Sequence, residues 1–114
     1  MILPAQAMTK DEVLDEMTNR LVETGAVNDF DSFREAIAKR EESTSTGIGE
    51  GIAMPHAKHI TVEKTSVVFA KQPAGIDYDS LDGQPARLFF MIAAKDDANE
   101  THLQILANLS RLLL

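Results

Sequence analysis

A histidine at the end of a glycine-rich stretch is the residue best placed for chemistry. His56 follows Pro55, and a proline fixes its own φ and restricts the residue before it, so the backbone entering His56 is stiff. A neutral imidazole with one nitrogen in a hydrogen bond keeps the other free as a nucleophile. Phosphoryl transfer depends mostly on positioning and charge stabilisation. We therefore treat His56 as a candidate catalytic residue, against the alternative of a histidine with a packing role.

Four hydroxyl residues and three glycines precede this histidine. They are Ser43, Thr44, Ser45 and Thr46, followed by Gly47, Gly49 and Gly51. No Gly-Lys-Ser or Gly-Lys-Thr follows, so the stretch is neither a P-loop nor a dinucleotide-binding fingerprint. Two interpretations stay open. One is a tight turn between a helix and a strand, and the other is a phosphate-binding concavity lined by hydroxyls and glycine amides.

Two further residues lie on apolar faces of predicted helices. Arg40 comes three positions after Ile37 in a last turn, and His102 shares the face of Ile105 in a first turn. Each has a packing interpretation, as a snorkelling arginine or a histidine at the edge of the core. Each also has a functional one, because an arginine fork suits phosphate and helix N-termini attract anions. The pattern alone leaves both interpretations open.

A metal site is the alternative chemistry. His56 and His59 have the spacing of two zinc ligands, and His102 would be the third. However, Lys58 lies between the first two, Pro55 argues against a helix there, and no carboxylate stands at a known ligand spacing. We therefore predict no metal site.

The composition excludes several classes of function. The chain of 114 residues carries a net charge of −7 at pH 7, which argues against nucleic acid and favours a basic protein partner. Cysteine is absent, which excludes disulfides and cysteine–zinc sites. The sequence shows no signal peptide and no apolar run of membrane-spanning length. We expect no membrane insertion and a cytoplasmic location.

The first third of the chain predicts two helices. One follows a capping box at Thr9 and Glu12 and stops near Gly25. The second starts near Asp31 or Ser32 and continues to about residue 42. Strands follow them, and a last helix ends the chain.

The strands are predicted from composition and apolar runs. Residues 65–70 are rich in β-branched side chains, 75–85 resemble a turn, and the apolar run 88–94 is typical of a central strand. Residues 52–54 form a short apolar run that Pro55 terminates. Together with the helices, these elements predict a single α/β domain with helices on the faces of its sheet.

The chain ends inside an amphipathic helical pattern. Residues 102–113 have helical periodicity, and residues 112–114 are leucines without a cap. We expect a truncated chain whose exposed C-terminal helix favours self-association.

Residues 40–57 closely resemble the phosphohistidine signature of a known family. They read Arg-Glu-Glu-Ser-Thr-Ser-Thr-Gly-Ile-Gly-Glu-Gly-Ile-Ala-Met-Pro-His-Ala. The family is that of the fructose–mannitol EIIA domains, of the bacterial phosphoenolpyruvate-dependent sugar phosphotransferase system. Residues 88–94 and the helical pattern after them also resemble the family. The likeness runs from about Thr9 to Leu114, and the family normally continues further with more helix.

The resemblance implies a mixed sheet sandwiched between helices, in one domain over residues 1–114 whose C-terminal helical part is missing. It implies that His56 accepts a phosphoryl group from the phosphocarrier protein HPr and passes it to a cysteine of an EIIB domain. His102 falls on the second active-site histidine and Arg40 on the active-site arginine. The hydroxyls and glycine amides of residues 43–51 would offset charge on the phosphoryl oxygens. No cofactor is expected, because the donor arrives already activated.

The resemblance leaves two roles open. Residues 77–83 look most like fructose-type members, which favours fructose uptake. EIIA-like domains also occur in nitrogen-regulatory proteins and fused to transcriptional regulators, where the phosphohistidine controls protein contacts.

Overall fold

The computed structural model describes residues 3–99, 101, 104 and 108 of the chain. Within these residues it contains two α-helices, α1 (Lys10–Glu23) and α2 (Phe30–Ser43), and a mixed sheet of six strands. The strands are β1 (Leu3–Pro4), β2 (Gly47–Gly49), β3 (Ile52–Ala53), β4 (His56–His59), β5 (Ser66–Ile76) and β6 (Ala86–Lys95). Their order in the sheet is β1-β5-β6-β3-β2, and β4 also pairs with β6.

Side-chain caps begin both helices. Thr9 Oγ1 accepts a hydrogen bond from the amide of Glu12 at 3.2 Å, as predicted. Glu12 reaches back to the amide of Met8 at 3.2 Å, one residue before the position that a capping box predicts. Asp29 accepts from the amide of Ser32 at 3.1 Å, so α2 begins earlier than the sequence indicated.

β6 is the central strand of the sheet. It pairs antiparallel with β5 on one side and parallel with β3 and β4 on the other. Residues 89–94 of this strand are all buried, which confirms the prediction from the apolar run 88–94. β6 is therefore the strand with which β3, β4 and β5 all pair, and through β3 and β4 it positions the residues around His56.

β3 and β4 follow one another along the same edge of β6. Ile52 lies opposite Leu88 and His56 lies opposite Ile92, so the register is the same on both sides of Pro55. The sequence predicted that Pro55 ends the apolar run, and β3 does end before it. It did not predict that strand pairing resumes at once, which makes His56 the first residue of a new strand.

The two faces of the sheet carry separate clusters of buried side chains. The main cluster lies under α1 and α2 and includes Phe33 and Phe89. The smaller cluster, on the other face, consists of Met54, Phe90 and Ile92 with partly buried neighbours. The described helices thus cover one face only.

β5 is longer than predicted. The sequence indicated a strand over residues 65–70, whereas β5 continues to Ile76 with irregular pairing after Lys71. Pro73 lies in the irregular part, because a proline cannot donate to the ladder. The turn predicted for 75–85 therefore starts later, after Ile76. The short strands β1 and β2 were not predicted.

The predicted C-terminal helix falls largely outside the described residues. Thr101, Gln104 and Asn108 are helical and exposed, as expected for its polar face. Its predicted apolar face, its end at residues 112–114 and its self-association lie outside the described residues. In the part of the chain that the structure describes, no helix combines the length and hydrophobicity that a membrane span requires.

Candidate functional site

His56 lies on the face of the sheet that α1 and α2 do not cover. Ala57, the next residue of β4, is buried in the main cluster, and successive strand residues point to opposite faces. His56 therefore shares the side of Met54, which belongs to the smaller cluster. Its side chain is half-buried, so the ring is anchored and still accessible.

A backbone carbonyl fixes the position of the proton on His56. Nδ1 of the ring lies 2.9 Å from the carbonyl oxygen of Met54. A carbonyl oxygen can only accept a hydrogen bond, so Nδ1 carries the hydrogen. In the neutral ring the lone pair is then on Nε2. Nε2 is therefore the nitrogen that can attack a phosphoryl group.

The carbonyl of Met54 is held from both sides. The amide of Met54 donates to the carbonyl oxygen of Thr46 at 3.0 Å, and the carbonyl oxygen of Pro55 accepts from the amide of Ile92 at 2.9 Å. Since Pro55 also fixes its own φ, the peptide between these two anchors has little freedom. This is the stiff approach to His56 that the sequence indicates.

The segment after α2, residues 44–46, runs beside this peptide. Thr44 is extended, with φ −164° and ψ 137°, and β2 continues from the segment and pairs antiparallel with β3. The carbonyl oxygen of Thr46 accepts from the amide of Met54, so this segment continues the β2 edge next to Met54, on the side away from β6. Thr46 is thus the neighbour of Met54 two positions before His56.

The four predicted hydroxyls all have hydrogen-bond partners within the chain. Ser43 donates to the Arg40 carbonyl at 2.9 Å, Thr44 to the Ser43 carbonyl at 2.7 Å, Ser45 to the Tyr78 carbonyl at 3.0 Å and Thr46 to the Glu41 carboxylate at 2.5 Å. In the unphosphorylated chain these hydroxyls therefore stabilise the loop itself. Phosphate binding by them stays a prediction.

Arg40 lies in the last turn of α2, as the sequence predicts. Its Nη1 donates to the carbonyl oxygen of Thr44 at 2.8 Å, and the side chain is half-exposed. Among the described residues the guanidinium has no other partner. Its remaining N–H groups lie next to residue 44 and can donate to an anion there.

Gly47, Gly49 and Gly51 form a tight hairpin between β2 and β3. Gly49 and Gly51 have φ values of 103° and 79°, and Glu50 between them has φ 59°, all in the left-handed region. A Cβ on Gly47 would lie 2.8 Å from the Cα of Ser80. The glycines therefore make the turn that was one of the two sequence interpretations. Phosphate binding by their amides stays a prediction.

The loop between β5 and β6 fastens this hairpin. The amide of Leu81 donates to the Gly47 carbonyl at 2.8 Å, and Asp82 accepts from the amide of Glu50 at 3.0 Å. Asp82 also accepts from the amide of Gln84 at 3.0 Å. The amide of Gln84, and next that of Glu50, hold the pKa of the Asp82 carboxyl below its usual value.

A buried polar cluster under residues 44–46 was missed by the sequence reasoning. It consists of Lys10, Glu41, Thr46 and Tyr78. Glu41 is 7% exposed, lies 3.0 Å from Lys10 Nζ and accepts from the amide of Thr46 at 3.1 Å. The hydroxyls of Thr46 and Tyr78 are 3.1 Å apart, and Lys10 Nζ lies 4.5 Å from the centre of the Tyr78 ring. No sequence pattern connects residues so far apart in the chain.

Tyr78 is the most deeply buried member of this cluster. It has no exposed surface, and burial raises the pKa of its hydroxyl well above the ordinary value of 10.0. The negative charge of Glu41 raises this pKa further. The hydroxyl is therefore a permanent hydrogen-bonding group at neutral pH.

His59 faces the opposite way from His56. Together with Ser32, Glu35 and Lys39 it lines a pocket beside α2. Nδ1 of His59 lies 2.8 Å from the Thr61 hydroxyl oxygen and 3.3 Å from the Thr61 amide nitrogen, so Thr61 holds the ring in this orientation. His59 therefore takes no part in the site around His56.

The metal alternative has no support in this geometry. His56 and His59 point to opposite faces of the sheet, so they cannot share an ion. Within residues 3–99 and the three described helical positions after them, no three His, Cys, Asp or Glu side chains are grouped to hold a metal. The predicted His102 lies outside the described residues.

A family model for the phosphoenolpyruvate-dependent sugar phosphotransferase system, EIIA 2, matches residues 1–114. The fructose-specific EIIABC component of Bacillus subtilis is 50% identical over 112 residues, which cover 98% of this chain and 18% of that protein. The fructose-specific EIIA component of Haloferax volcanii is 42% identical, and the match spans 93% of this chain and 69% of that protein. A nitrogen regulatory protein of Bradyrhizobium diazoefficiens is 37% identical, and the match spans 98% of this chain and 73% of that protein.

Solved structures agree with this match. Nitrogen regulatory protein IIA-Ntr from Neisseria meningitidis superposes with a TM-score of 0.82 at 27% identity, over 94% of this chain and 73% of that chain. In the complex of enzyme IIAMtl and phosphorylated enzyme IIBMtl from Escherichia coli, the matched chain gives a TM-score of 0.78 at 32% identity, over 98% of this chain and 76% of that chain. The resemblance that residues 40–57 indicate is confirmed. The chain belongs to the EIIA 2 family of the phosphoenolpyruvate-dependent sugar phosphotransferase system.

Proposed function

We propose that this domain is a phosphocarrier in which His56 accepts a phosphoryl group from phospho-HPr and passes it to a cysteine of an EIIB domain during sugar uptake. Fructose is the proposed sugar and the cytoplasm the proposed location. The observation that carries the proposal is the hydrogen bond of 2.9 Å from Nδ1 of His56 to the carbonyl oxygen of Met54. It leaves the lone pair on Nε2 of a rigidly held, half-buried ring.

The transfer step follows from this tautomer. The Nε2 lone pair attacks phosphorus, a new bond between nitrogen and phosphorus forms, and the bond to the donor breaks with its electron pair leaving on the donor. The ring then carries Nδ1–H and a formal positive charge, which the carbonyl oxygen of Met54 stabilises. When an EIIB thiolate attacks the phosphoryl group, the ring leaves as neutral imidazole with the same Nδ1–H. No proton has to move at His56 in either step.

Arg40 supplies a positive charge at the end of α2, next to residues 43–46. Its guanidinium is tied to Thr44 through one N–H, and its other N–H groups are available for phosphoryl oxygens. We assign it the role of offsetting charge on the transferred group. The hydroxyls of residues 43–46 and the amides of Gly47, Gly49 and Gly51 have the same proposed role, once their present hydrogen bonds are exchanged.

His102 is proposed as the second histidine of the site, and a contact of Lys58 supports this. Lys58 lies two positions after His56 and so points to the same face of the sheet. Its Nζ donates to the carbonyl oxygen of Ala98 at 2.9 Å. The chain after β6 thus reaches the His56 face shortly before the helical residue Thr101. The assignment of His102 rests on this course of the chain up to Ala98 and on the family resemblance.

Two partners follow from this role. An EIIB acceptor is supported by the solved complex of an EIIA relative with a phosphorylated EIIB. HPr as the donor is supported by the resemblance of residues 40–57 alone. Fructose is supported by the names of the relatives that are 50% and 42% identical. The proposed step needs no cofactor, because the phosphoryl group arrives activated.

The proposal is tested by phosphorylation with phosphoenolpyruvate, enzyme I and HPr. The wild-type domain should take up acid-labile phosphate, and His56→Ala should take up none. The matched control is His59→Ala in the same strand, whose ring faces α2; it should be labelled at the wild-type rate. Label on the His56→Ala variant, or loss of label in His59→Ala alone, would contradict the assignment.

A regulatory module is the second candidate function. The nitrogen regulatory protein that is 37% identical over 98% of this chain favours it. In such a module the phosphorylated histidine would control a protein contact. The two candidates differ in the fate of the phosphoryl group. A phosphocarrier discharges rapidly to a fructose-type EIIB with its cysteine intact and not to a Cys→Ser variant, whereas a regulatory module keeps its label with both.

A further inference from the structure

We propose that Glu41 is a positioning residue that fixes the tautomer of His56 through Thr46 and Met54. The inference rests on the proposed function of His56 but concerns the ring before any phosphate arrives. Glu41 does not touch the reacting atoms in this scheme. It acts on Thr46, whose carbonyl oxygen accepts a hydrogen bond from the amide of Met54 on the side away from β6.

Glu41 accepts two hydrogen bonds from Thr46. Its Oε1 accepts from the amide of Thr46 at 3.1 Å, and its Oε2 accepts from the Thr46 hydroxyl at 2.5 Å. Two hydrogen bonds to one residue fix both its position and its rotation. The Glu41 side chain is 7% exposed, which limits competition from water for these bonds.

Lys10 and Tyr78 hold Glu41 in the orientation that its two hydrogen bonds with Thr46 require. Lys10 Nζ lies 3.0 Å from Oε1 and offsets the buried charge. The hydroxyl of Tyr78 lies 3.1 Å from the hydroxyl of Thr46 and completes the cluster. Because every polar atom of the cluster is paired, the arrangement is rigid.

Two further hydrogen bonds connect Thr46 to His56. The carbonyl oxygen of Thr46 accepts from the amide of Met54 at 3.0 Å, and the carbonyl oxygen of Met54 accepts from Nδ1 of His56 at 2.9 Å. Ile92 holds the other side through Pro55. If Thr46 moves, the only anchor of the Met54 amide moves with it, and the carbonyl turns away from Nδ1.

α2 thus positions the site with two consecutive side chains that do different work. Arg40 donates to the Thr44 carbonyl and keeps free N–H groups for an anion. Glu41 is turned inward, and its two oxygens bind Lys10 and Thr46 within the chain. Its effect on transfer must therefore pass through His56. Loss of that positioning should slow transfer about tenfold to a hundredfold.

The test measures the His56 tautomer in the free domain by imidazole ¹⁵N NMR, at about pH 8 where an ordinary histidine is neutral. The variants are Glu41→Gln, which keeps the size of the side chain but loses acceptor capacity and charge, and Glu41→Ala. The matched control is Glu42→Gln, the same change at the exposed neighbour on the same helix. A second control, Ile37→Val, reduces core packing in α2 without touching a hydrogen bond.

Wild type and both controls should show Nδ1–H with an unprotonated Nε2 at His56. Glu41→Gln should shift a measurable fraction of the ring to the Nε2–H tautomer, and Glu41→Ala should shift more. The rate constant for phosphorylation should fall in the same order, with the apparent KM for phospho-HPr unchanged. If Glu41→Ala does not fold, Glu41→Gln decides the question.

A folded Glu41→Gln domain whose His56 tautomer is that of wild type would overturn the proposal. So would an equal shift in Ile37→Val, since the effect would then follow stability alone. Both results are obtained without phosphate and stand apart from the proposed function. Failure of that function would appear instead as an unlabelled wild-type domain whose tautomer still responds to Glu41.

Discussion

His56 and His59 lie three positions apart in β4, on opposite faces of the sheet, and their Nδ1 atoms have different partners. Nδ1 of His56 donates to the Met54 carbonyl oxygen at 2.9 Å, whereas Nδ1 of His59 lies 2.8 Å from the Thr61 hydroxyl oxygen. A carbonyl oxygen only accepts and therefore fixes the tautomer of the neutral His56 ring, whereas a hydroxyl can accept or donate. Of these two histidines, His56 is the one on the face that the described helices leave uncovered, which separates the candidate nucleophile from its neighbour.

Arg40→Ala should slow phosphorylation by phospho-HPr about 100-fold, the typical effect of removing one donor that stabilises developing charge. The free energy of unfolding should fall by only about 1 kcal/mol, because one hydrogen bond at the surface is lost. Initial rates and thermal unfolding measure the two effects. The control is Lys39→Ala on the same helix, an exposed residue whose ion pair, among residues 3–99, is with Glu35 at 3.7 Å. An unfolded Arg40→Ala domain would show that the arginine has a structural role instead.

Gly47→Ala should both destabilise the domain and slow transfer. The added Cβ would lie 2.8 Å from the Cα of Ser80, so the hairpin beside the site has to shift, at a cost of about 1–3 kcal/mol. Gly83→Ala is the control, since its Cβ would meet nothing within 4 Å. Its φ of 73° still costs about 1 kcal/mol, so it should lower stability without slowing transfer. Urea unfolding and initial rates separate the two. Equal stability of Gly47→Ala and wild type would contradict the close approach of Ser80.

Tyr78 should not ionise in the folded domain at the pH where an ordinary tyrosine does. It is the only tyrosine in the chain, so the ultraviolet absorbance of phenolate reports on this residue alone. Because its folded pKa is raised above 10.0, its contribution to stability is complete below that pH and is lost as the pH rises further. Phenolate should therefore appear only with unfolding.

Tyr78→Phe is the matched variant for this titration. It removes the ionisable group, so the fall in stability above pH 10.0 should become shallower than in wild type. A phenolate signal with an ordinary midpoint, in a domain that circular dichroism shows to be folded, would contradict the burial of Tyr78.

The features that were predictable from the sequence are local ones. The apolar run 88–94 gave the central strand, Thr9 gave the cap of α1, and Pro55 before His56 gave the stiff approach to the ring. Each depends on neighbours in sequence, whose preferences act in any fold. The glycines were recognised as a turn or an anion site, and the structure shows the turn.

The features that were missed depend on contacts between distant residues. Glu41 looked like one charge among many, because Lys10 and Tyr78 meet it only in the folded chain. The resumption of strand pairing after Pro55 depends on β6, which offers a partner to His56 in an unchanged register. β5 extends beyond its β-branched core in the same way, because β6 pairs with Ile76.

The most direct test of the central claim is to locate the phosphoryl group on the domain. The ³¹P and ¹⁵N NMR spectra of the ¹⁵N-labelled domain, phosphorylated by phospho-HPr, identify the nitrogen bonded to phosphorus. We expect phosphorus on Nε2 of His56, with the hydrogen of Nδ1 retained. Phosphorus on Nδ1 of His56, phosphorus on His59, or a folded domain that takes up no phosphate would contradict it.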